Sequence, residues 1–144
     1  MAGGSLELRM TSTLQQFLAA YNAGSVNTAA ALVTDDVIGS DCDYRDVRVV
    51  VFNGRPAFVA WLKERAADHD RLELGTVTDP NRAGGAVLPA TFAVRTSDTL
   101  SSLGFASGIH PQLAAKVIFT DDGLRIRAFA NGPFGGDQQL CRPT

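Results

Sequence analysis

Apolar residues near the start of the chain recur with a helical period. Ser12 followed by Gln15 resembles a capping box, which predicts that a helix begins there. Gly24 stands where a left-handed residue would end that helix. The positions i, i+3, i+4 and i+7 between these signals are all apolar, being Leu14, Phe17, Leu18 and Tyr21.

Two further helices follow from the same reasoning. Ser25 can cap a short second helix that ends near Asp35 and carries an apolar stripe of Val26, Ala29, Ala30 and Val33. Pro56 suits the first turn of a third helix, because a proline there loses no hydrogen bond. This helix is predicted to end between Ala67 and Asp70, and its buried stripe comprises Phe58, Trp61 and Leu62.

The rest of the chain changes to a period of two, which is typical of half-buried strands. The helical period is already lost over 37–44, and the β-branched run 47–52 reads as a strand. Leu72 and Leu74 then alternate with polar neighbours. In the next strand Leu88, Ala90, Phe92 and Val94 form one face, and Pro89, Thr91, Ala93 and Arg95 form the other.

Turn signals delimit the last strands. Pro89 cannot donate a ladder hydrogen bond, so we expect its strand to be bulged or at an edge there. The Ser- and Gly-rich segment 96–108 is predicted to be a loop. Asp122-Gly123 is a hairpin turn between 113–119 and 124–128, and the tails 1–11 and 133–144 are expected to be irregular.

Helices first and an antiparallel meander afterwards indicate an α+β fold. With only three N-terminal helices to cover, the sheet must curve around them. We therefore predict one cone-shaped domain over 1–144, a cystatin-like α+β roll with a curved mixed or antiparallel sheet. The open end of such a cone is the default place for a ligand.

Composition narrows the function further. The net charge is −2 and the 13 Lys and Arg residues are scattered, which argues against nucleic acid as a partner. Apolar runs are too short to span a bilayer, and residues 1–11 lack the apolar core of a signal peptide. A cytoplasmic protein without membrane contact is expected.

The cysteines and histidines match no metal-binding spacing. Cys42 and Cys141 lie far apart in the sequence, and His69 and His110 are isolated. We expect two free thiols in a reducing compartment, with a disulfide as the lesser alternative, and neither a metal nor another cofactor.

The segment FLAAYNAGSVNTAAALVTDDVIGSD, from Phe17 to Asp41, resembles the first part of a nuclear-transport-factor-2-like (NTF2-like) domain. Its order of aromatic residue, NAG, short helix, DDV and polar strand is typical of the SnoaL-like polyketide cyclases and ketosteroid isomerases. Asn53-Gly54-Arg55 and the closing hairpin fit the same order, so the resemblance covers nearly the whole chain. It implies a cavity for a small lipophilic molecule and a homodimer.

The resemblance also implies a catalytic residue. An ungapped match to the ketosteroid isomerases places Asp41 on their general base, a carboxylate at the mouth of an apolar cavity. Their two enolate-binding donors fall on Phe17 and Ala115, which carry no donor, so strict steroid isomerisation is not expected. The alternative role for Asp41 is a turn cap or an ion pair with Arg45 or Arg48.

The other candidate site residues can also be explained by purely structural roles. Tyr21 and Trp61 could offer hydrogen-bond donors to a ligand, but they also lie on core stripes. His69 could act as an acid or base, or could be solvated at a helix end. The candidate site thus has Asp41 and His69 as catalytic residues and, as ligand contacts, Phe17, Tyr21, Trp61, Phe92 and Ala115.

Two functions remain open from the sequence. The first is a cofactor-free isomerase, cyclase or hydratase acting on a small carbonyl compound, with Asp41 as acid or base. The second is a non-catalytic module for ligand binding or dimerisation.

Overall fold

A computed structural model of the chain describes residues 2–77, 86–111, 115–131 and 141–143; side chains are described from Leu6 onwards, except those of Val77 and Ala115. Its helices and strands are, in chain order, α1 Ala2–Ala23, α2 Val26–Ala30, β1 Val33–Asp43, β2 Arg48–Asn53, α3 Arg55–Ala67, β3 Arg71–Val77, β4 Val87–Thr96, α4 Asp98–Ser102, β5 Ala115–Phe119 and β6 Ile126–Ala130.

Among the described residues, six strands form one mixed sheet in the order β2-β1-β6-β5-β4-β3. Strand β1 runs parallel to β6, and the other neighbours are antiparallel. Helix α1 packs against β3 and β4, and α3 packs against β1 and β2. The predicted α+β class, with helices packed on a mixed sheet, is confirmed.

Helix α1 starts ten residues earlier than predicted, at Ala2, so residues 2–11 are not an irregular tail. Met10 continues the apolar stripe one turn before Leu14, and both side chains are buried. The predicted capping residue Ser12 instead accepts a hydrogen bond from the Gln16 side chain inside the helix. The predicted end is correct: Gly24 has φ +71° and Ser25 N–H donates to Ala20 O at 2.9 Å.

Two other features differ from prediction. Helix α2 ends at Ala30, because buried Val33 already pairs with Ile126 as the start of β1. The predicted loop contains α4, capped by Ser97, whose side chain accepts from Leu100 N–H at 3.0 Å. Strand β4 has neighbours on both sides, and its pairing with β3 shifts register between Leu74 and Val77, opposite residues 90–92, so the irregularity expected near Pro89 occurs as a bulge. Of the predicted C-terminal tail 133–144, residues 133–140 and 144 lie outside the described residues.

The largest departure from prediction is a disulfide between Cys42 and Cys141. Both residues are buried, at 4% and 0% exposure. The expectation of two free thiols is therefore wrong. Sequence spacing could not reveal this pair, because a fold can bring together cysteines 99 residues apart.

Candidate functional site

The hollow of the sheet is packed with aromatic side chains. Trp61 lies at the centre, with its ring centroid 4.9 Å from Phe52, 5.2 Å from Phe58 and 5.5 Å from Tyr21. Phe17 packs against Phe129 at 5.2 Å. These rings are all buried, and contacts of this kind add roughly 0.5–1.5 kcal/mol per pair beyond area burial.

A charged group lies beside these rings. We call it the Arg95 cluster, and its members are Arg95, Asp41, Asp70, Tyr21, Trp61 and Asn131. The guanidinium of Arg95 is 1% exposed and contacts Asp41 Oδ1 through Nη1 at 2.8 Å and Asp70 Oδ2 through Nη2 at 2.8 Å. One arginine thus holds two buried carboxylates from opposite halves of the sheet.

Asp41 reaches this cluster because of its place on β1. Gly39, two residues earlier on the same face, leaves room for the Phe52 ring, since a Cβ there would lie 2.0 Å from a ring carbon. The two residues share a register pair on β1 and β2. Asp41 therefore points into the hollow beside the aromatic packing and not to solvent.

The Asp41 carboxylate accepts five hydrogen bonds from described residues. Two come from Arg95, one from Trp61 Nε1 at 2.9 Å, one from Asn131 Nδ2 at 3.2 Å and one from Cys42 N–H at 2.8 Å. An ionised carboxylate offers about four lone-pair sites. The acceptor capacity of Asp41 is therefore filled.

These contacts also fix the charge of Asp41. Burial alone raises the pKa of a carboxyl group, but the positive charge of Arg95 and hydrogen bonds from Arg95 and Trp61 outweigh it. The net result is a pKa of Asp41 below its ordinary value. Asp41 is accordingly ionised at neutral pH.

Asp70 enters from the end of α3. His69 adopts φ +52°, and Asp70 N–H then donates to Arg65 O at 3.0 Å, which closes the helix and turns the chain inward. Asp70 accepts from Arg95 and from the Tyr21 hydroxyl. Burial and then the Asp70 charge raise the pKa of Tyr21 well above its ordinary value, so its hydroxyl stays protonated.

The other predicted residues divide into two groups. Phe17, Tyr21, Trp61 and Phe92 are all buried in the core. His69 lies apart: its side chain is 78% exposed and its Nδ1 is 2.6 Å from Asp98 Oδ2. That hydrogen bond raises the pKa of His69 above its ordinary value. Ala115 begins β5, and its side chain is outside the described part of the structure.

Sequence reasoning missed Arg95, Asp70 and Asn131. The partner of Asp41 is neither Arg45 nor Arg48, because Arg48 pairs with Asp43 at the surface at 3.1 Å. The alternation along β4 placed Arg95 on the polar face with Thr91 and Ala93. The β3–β4 pairing shifts register between Glu73↔Val94 and Leu74↔Phe92, so β4 carries one extra residue at this point. Beyond it, each residue of β4 faces the side opposite to the one that strict alternation predicts, and Arg95 therefore faces inward.

A groove of about 410 Å³ opens between α1 and the edge strand β3. Its apolar residues are Leu18, Ala19, Leu72, Leu74 and Val94, and its polar residues are Gln15, Asn22, Arg71, Glu73 and Thr96. Asn22 fixes one wall of the groove, because its side-chain amide donates to Leu72 O and accepts from Leu72 N–H, at 2.9 and 2.8 Å.

No group of three or more His, Cys, Asp or Glu side chains that could hold a metal ion occurs among the described residues. Within the same part of the chain, no helix combines the length and apolar character needed to cross a membrane.

Comparison with known proteins identifies the fold. No protein-family model matches the sequence, and no curated protein is significantly similar to it. Several solved structures are similar to the structure of this chain. An NTF2-like protein of unknown function from Cytophaga hutchinsonii superposes with a TM-score of 0.59 at 6% identity, covering 84% of this chain and 86% of that one.

Two other similar structures have more descriptive names. A putative polyketide cyclase from Sinorhizobium meliloti has a TM-score of 0.61 at 12% identity, covering 83% of this chain and 92% of that one. A Mycobacterium tuberculosis protein in complex with estradiol-17beta-hemisuccinate has a TM-score of 0.61 at 15% identity, with 85% and 91% covered. The chain has the NTF2-like fold predicted from its sequence.

Proposed function

We propose that this NTF2-like domain binds a small lipophilic molecule, and that Asp41 is the structural counter-ion of Arg95 rather than a catalytic base. This proposal rests on the burial and full hydrogen bonding of Asp41. Its side chain is 4% exposed and accepts five hydrogen bonds. A general base needs a free lone pair within reach of the proton it removes, and a pKa close to the working pH. Asp41 meets neither condition.

The groove between α1 and β3 is the proposed ligand site. Its volume of about 410 Å³ falls within the roughly 300–1,000 Å³ typical of small-molecule pockets. Leu74 and Val94 are half-buried there and offer apolar surface, while Arg71 and Glu73 are exposed at the rim. The steroid ester bound by the similar Mycobacterium tuberculosis protein supports a ligand of this class.

A cofactor-free isomerase, cyclase or hydratase is the second candidate. One observation favours it: a buried guanidinium shared by two carboxylates is costly to maintain, and such perturbed groups concentrate at functional sites. The similar putative polyketide cyclase points the same way. In that function Asp41 would exchange a proton with the substrate, with His69 too far outside the cluster to take part.

One experiment separates the two candidates. Steroid esters and lipophilic ketones are tested for binding by calorimetry and for conversion by mass spectrometry, with the wild type and Asp41→Asn. We expect binding without conversion, a lower melting temperature for Asp41→Asn and unchanged affinity in the folded variant. Asp43→Asn is the matched control, since Asp43 is partly exposed and pairs with Arg48 at the surface.

The groove has its own control. Leu74→Glu places a charge on the apolar floor and should abolish binding in a protein that circular dichroism shows to be folded, with a lower melting temperature because Leu74 is half-buried against the core. Conversion by the wild type that Asp41→Asn abolishes, at an unchanged melting temperature, would reject the structural role of Asp41 and favour the enzyme.

We also propose a homodimer formed through the outer face of the sheet. Ile38 and Val51 are 41% and 45% exposed, and the register pair Ser40↔Val51 places them on the same outer face. Isolated exposed apolar residues are normal, but adjacent ones on a sheet face favour an interface.

A further inference from the structure

The disulfide lies directly behind the Arg95 cluster. Cys42 follows Asp41 on β1, so its side chain points to the outer face of the sheet while Asp41 points inward. Cys42 also donates its backbone N–H to Asp41 Oδ1 at 2.8 Å. A movement of Cys42 therefore moves a donor to the central carboxylate.

The end of the neighbouring strand β6 supplies a second hydrogen-bond donor to the same oxygen, Asp41 Oδ1. Asn131, just after β6, donates its backbone N–H to Ser40 O at 2.9 Å and its side-chain Nδ2 to Asp41 Oδ1 at 3.2 Å. Asp41 thus depends on the positions of two backbone segments, one of which is covalently attached to Cys141. Cys141 is fully buried against this part of the sheet.

We propose that the Cys42–Cys141 disulfide is a redox-sensitive clamp that holds Asp41 in the Arg95 cluster. A dithiol reductant supplies two electrons and two protons, the S–S bond breaks, Cys42 and Cys141 become thiols, and the reductant becomes a disulfide. Residues 141–143 are then no longer covalently attached to β1, and the crosslink no longer fixes the position of Cys42, whose N–H donates to Asp41. The Arg95–Asp41 contact loosens as a result.

This proposal replaces the expected reducing compartment with an oxidising one. A disulfide persists where thiols are not continually reduced, as in secreted or periplasmic proteins. The clamp is independent of the proposed ligand, because it concerns only the contacts between β1, β6 and the C-terminal residues.

Trp61 reports directly on the clamp. It is the single tryptophan of the chain, and its indole N–H donates to Asp41 Oδ2 at 2.9 Å. Its fluorescence therefore depends on the same carboxylate that the disulfide positions. A crosslink that only stabilised the chain would change the melting temperature without changing Trp61 emission in the folded protein.

The test compares oxidised protein, protein reduced with dithiothreitol, and the variant Cys141→Ser, which is locked in the open form. Thiol titration counts the free cysteines, and circular dichroism establishes that each sample remains folded. We expect reduction to yield two thiols, shift Trp61 emission to longer wavelength and lower the melting temperature by about 10 °C or more. Cys141→Ser should show the shifted emission without reductant and no response to it.

Three outcomes would overturn the proposal. The first is two free thiols in protein purified without reductant and exposed to oxygen. The second is complete reduction with unchanged Trp61 emission. The third is loss of the whole fold on reduction, which would make the bond a global staple and not a clamp on one cluster.

Discussion

Replacement of Arg95 by methionine tests how the buried carboxylates are held. Arg95→Met keeps much of the side-chain volume but removes the positive charge shared by Asp41 and Asp70. Removing one partner of a buried ion pair typically costs about 3–5 kcal/mol, because the other charge stays buried and unpaired. For a chain of 144 residues each kcal/mol lowers the melting temperature by about 2–4 °C. We therefore expect a decrease of about 6–20 °C.

The decrease should also depend on pH. In the wild type the folded pKa of Asp41 lies below its unfolded value, so the stability it contributes is present above about pH 3.9 and is lost as the pH falls through the folded pKa. Without Arg95, burial raises the folded pKa above the unfolded value. Arg95→Met then becomes relatively more stable as the pH falls, so its deficit against the wild type narrows between pH 7 and pH 4.

Thermal melts followed by circular dichroism at pH 7 and pH 4 measure both effects. Arg48→Met is the matched control, because Arg48 is 62% exposed and pairs with Asp43 at the surface. Surface pairs contribute roughly 0–1 kcal/mol, so this variant should melt within a few degrees of the wild type. An Arg95→Met deficit no larger than that of Arg48→Met, or one that widens at pH 4, would refute the reasoning.

Two further variants test the packing and the assembly. Gly39→Ala places a methyl group 2.0 Å from the Phe52 ring and should destabilise the domain by about 1–3 kcal/mol in chemical denaturation. Gly104 lies in open space at φ +99°, so the cost of Gly104→Ala should come from backbone strain alone. Val51→Lys adds a charge to the outer sheet face and should halve the mass measured by light scattering. A wild type that is already monomeric at high concentration would remove the proposed dimer.

The sequence predicts the fold well because its signals are local. The apolar stripe from Leu14 to Tyr21, the left-handed Gly24 and the alternating strands each involve neighbours along the chain. Their order alone favours helices packed on a sheet, as the structure has them. The start of α1 was missed because Ser12 offered a convincing cap, although buried Met10 continues the stripe before it.

The candidate site could be predicted only in part. The resemblance drew attention to Asp41, which does point into the hollow, but two of its donors, Arg95 and Asn131, lie 54 and 90 positions away in the sequence. Strict alternation along β4 assigned Arg95 to the wrong face, because a shift of register cannot be read from hydrophobicity. The disulfide was only the lesser alternative from the sequence, because its formation depends on where the folded chain brings Cys141.

The titration of Asp41 tests the central claim most directly. Carbon-13 NMR of the side-chain carboxyl group, assigned by comparison with Asp41→Asn, follows its ionisation from pH 8 down to acid unfolding. A structural counter-ion of Arg95 should remain ionised to below the ordinary aspartate pKa of about 3.9. A midpoint well above that value, near pH 6, would mean that Asp41 binds a proton in the working range, as a general base requires, and would contradict the account.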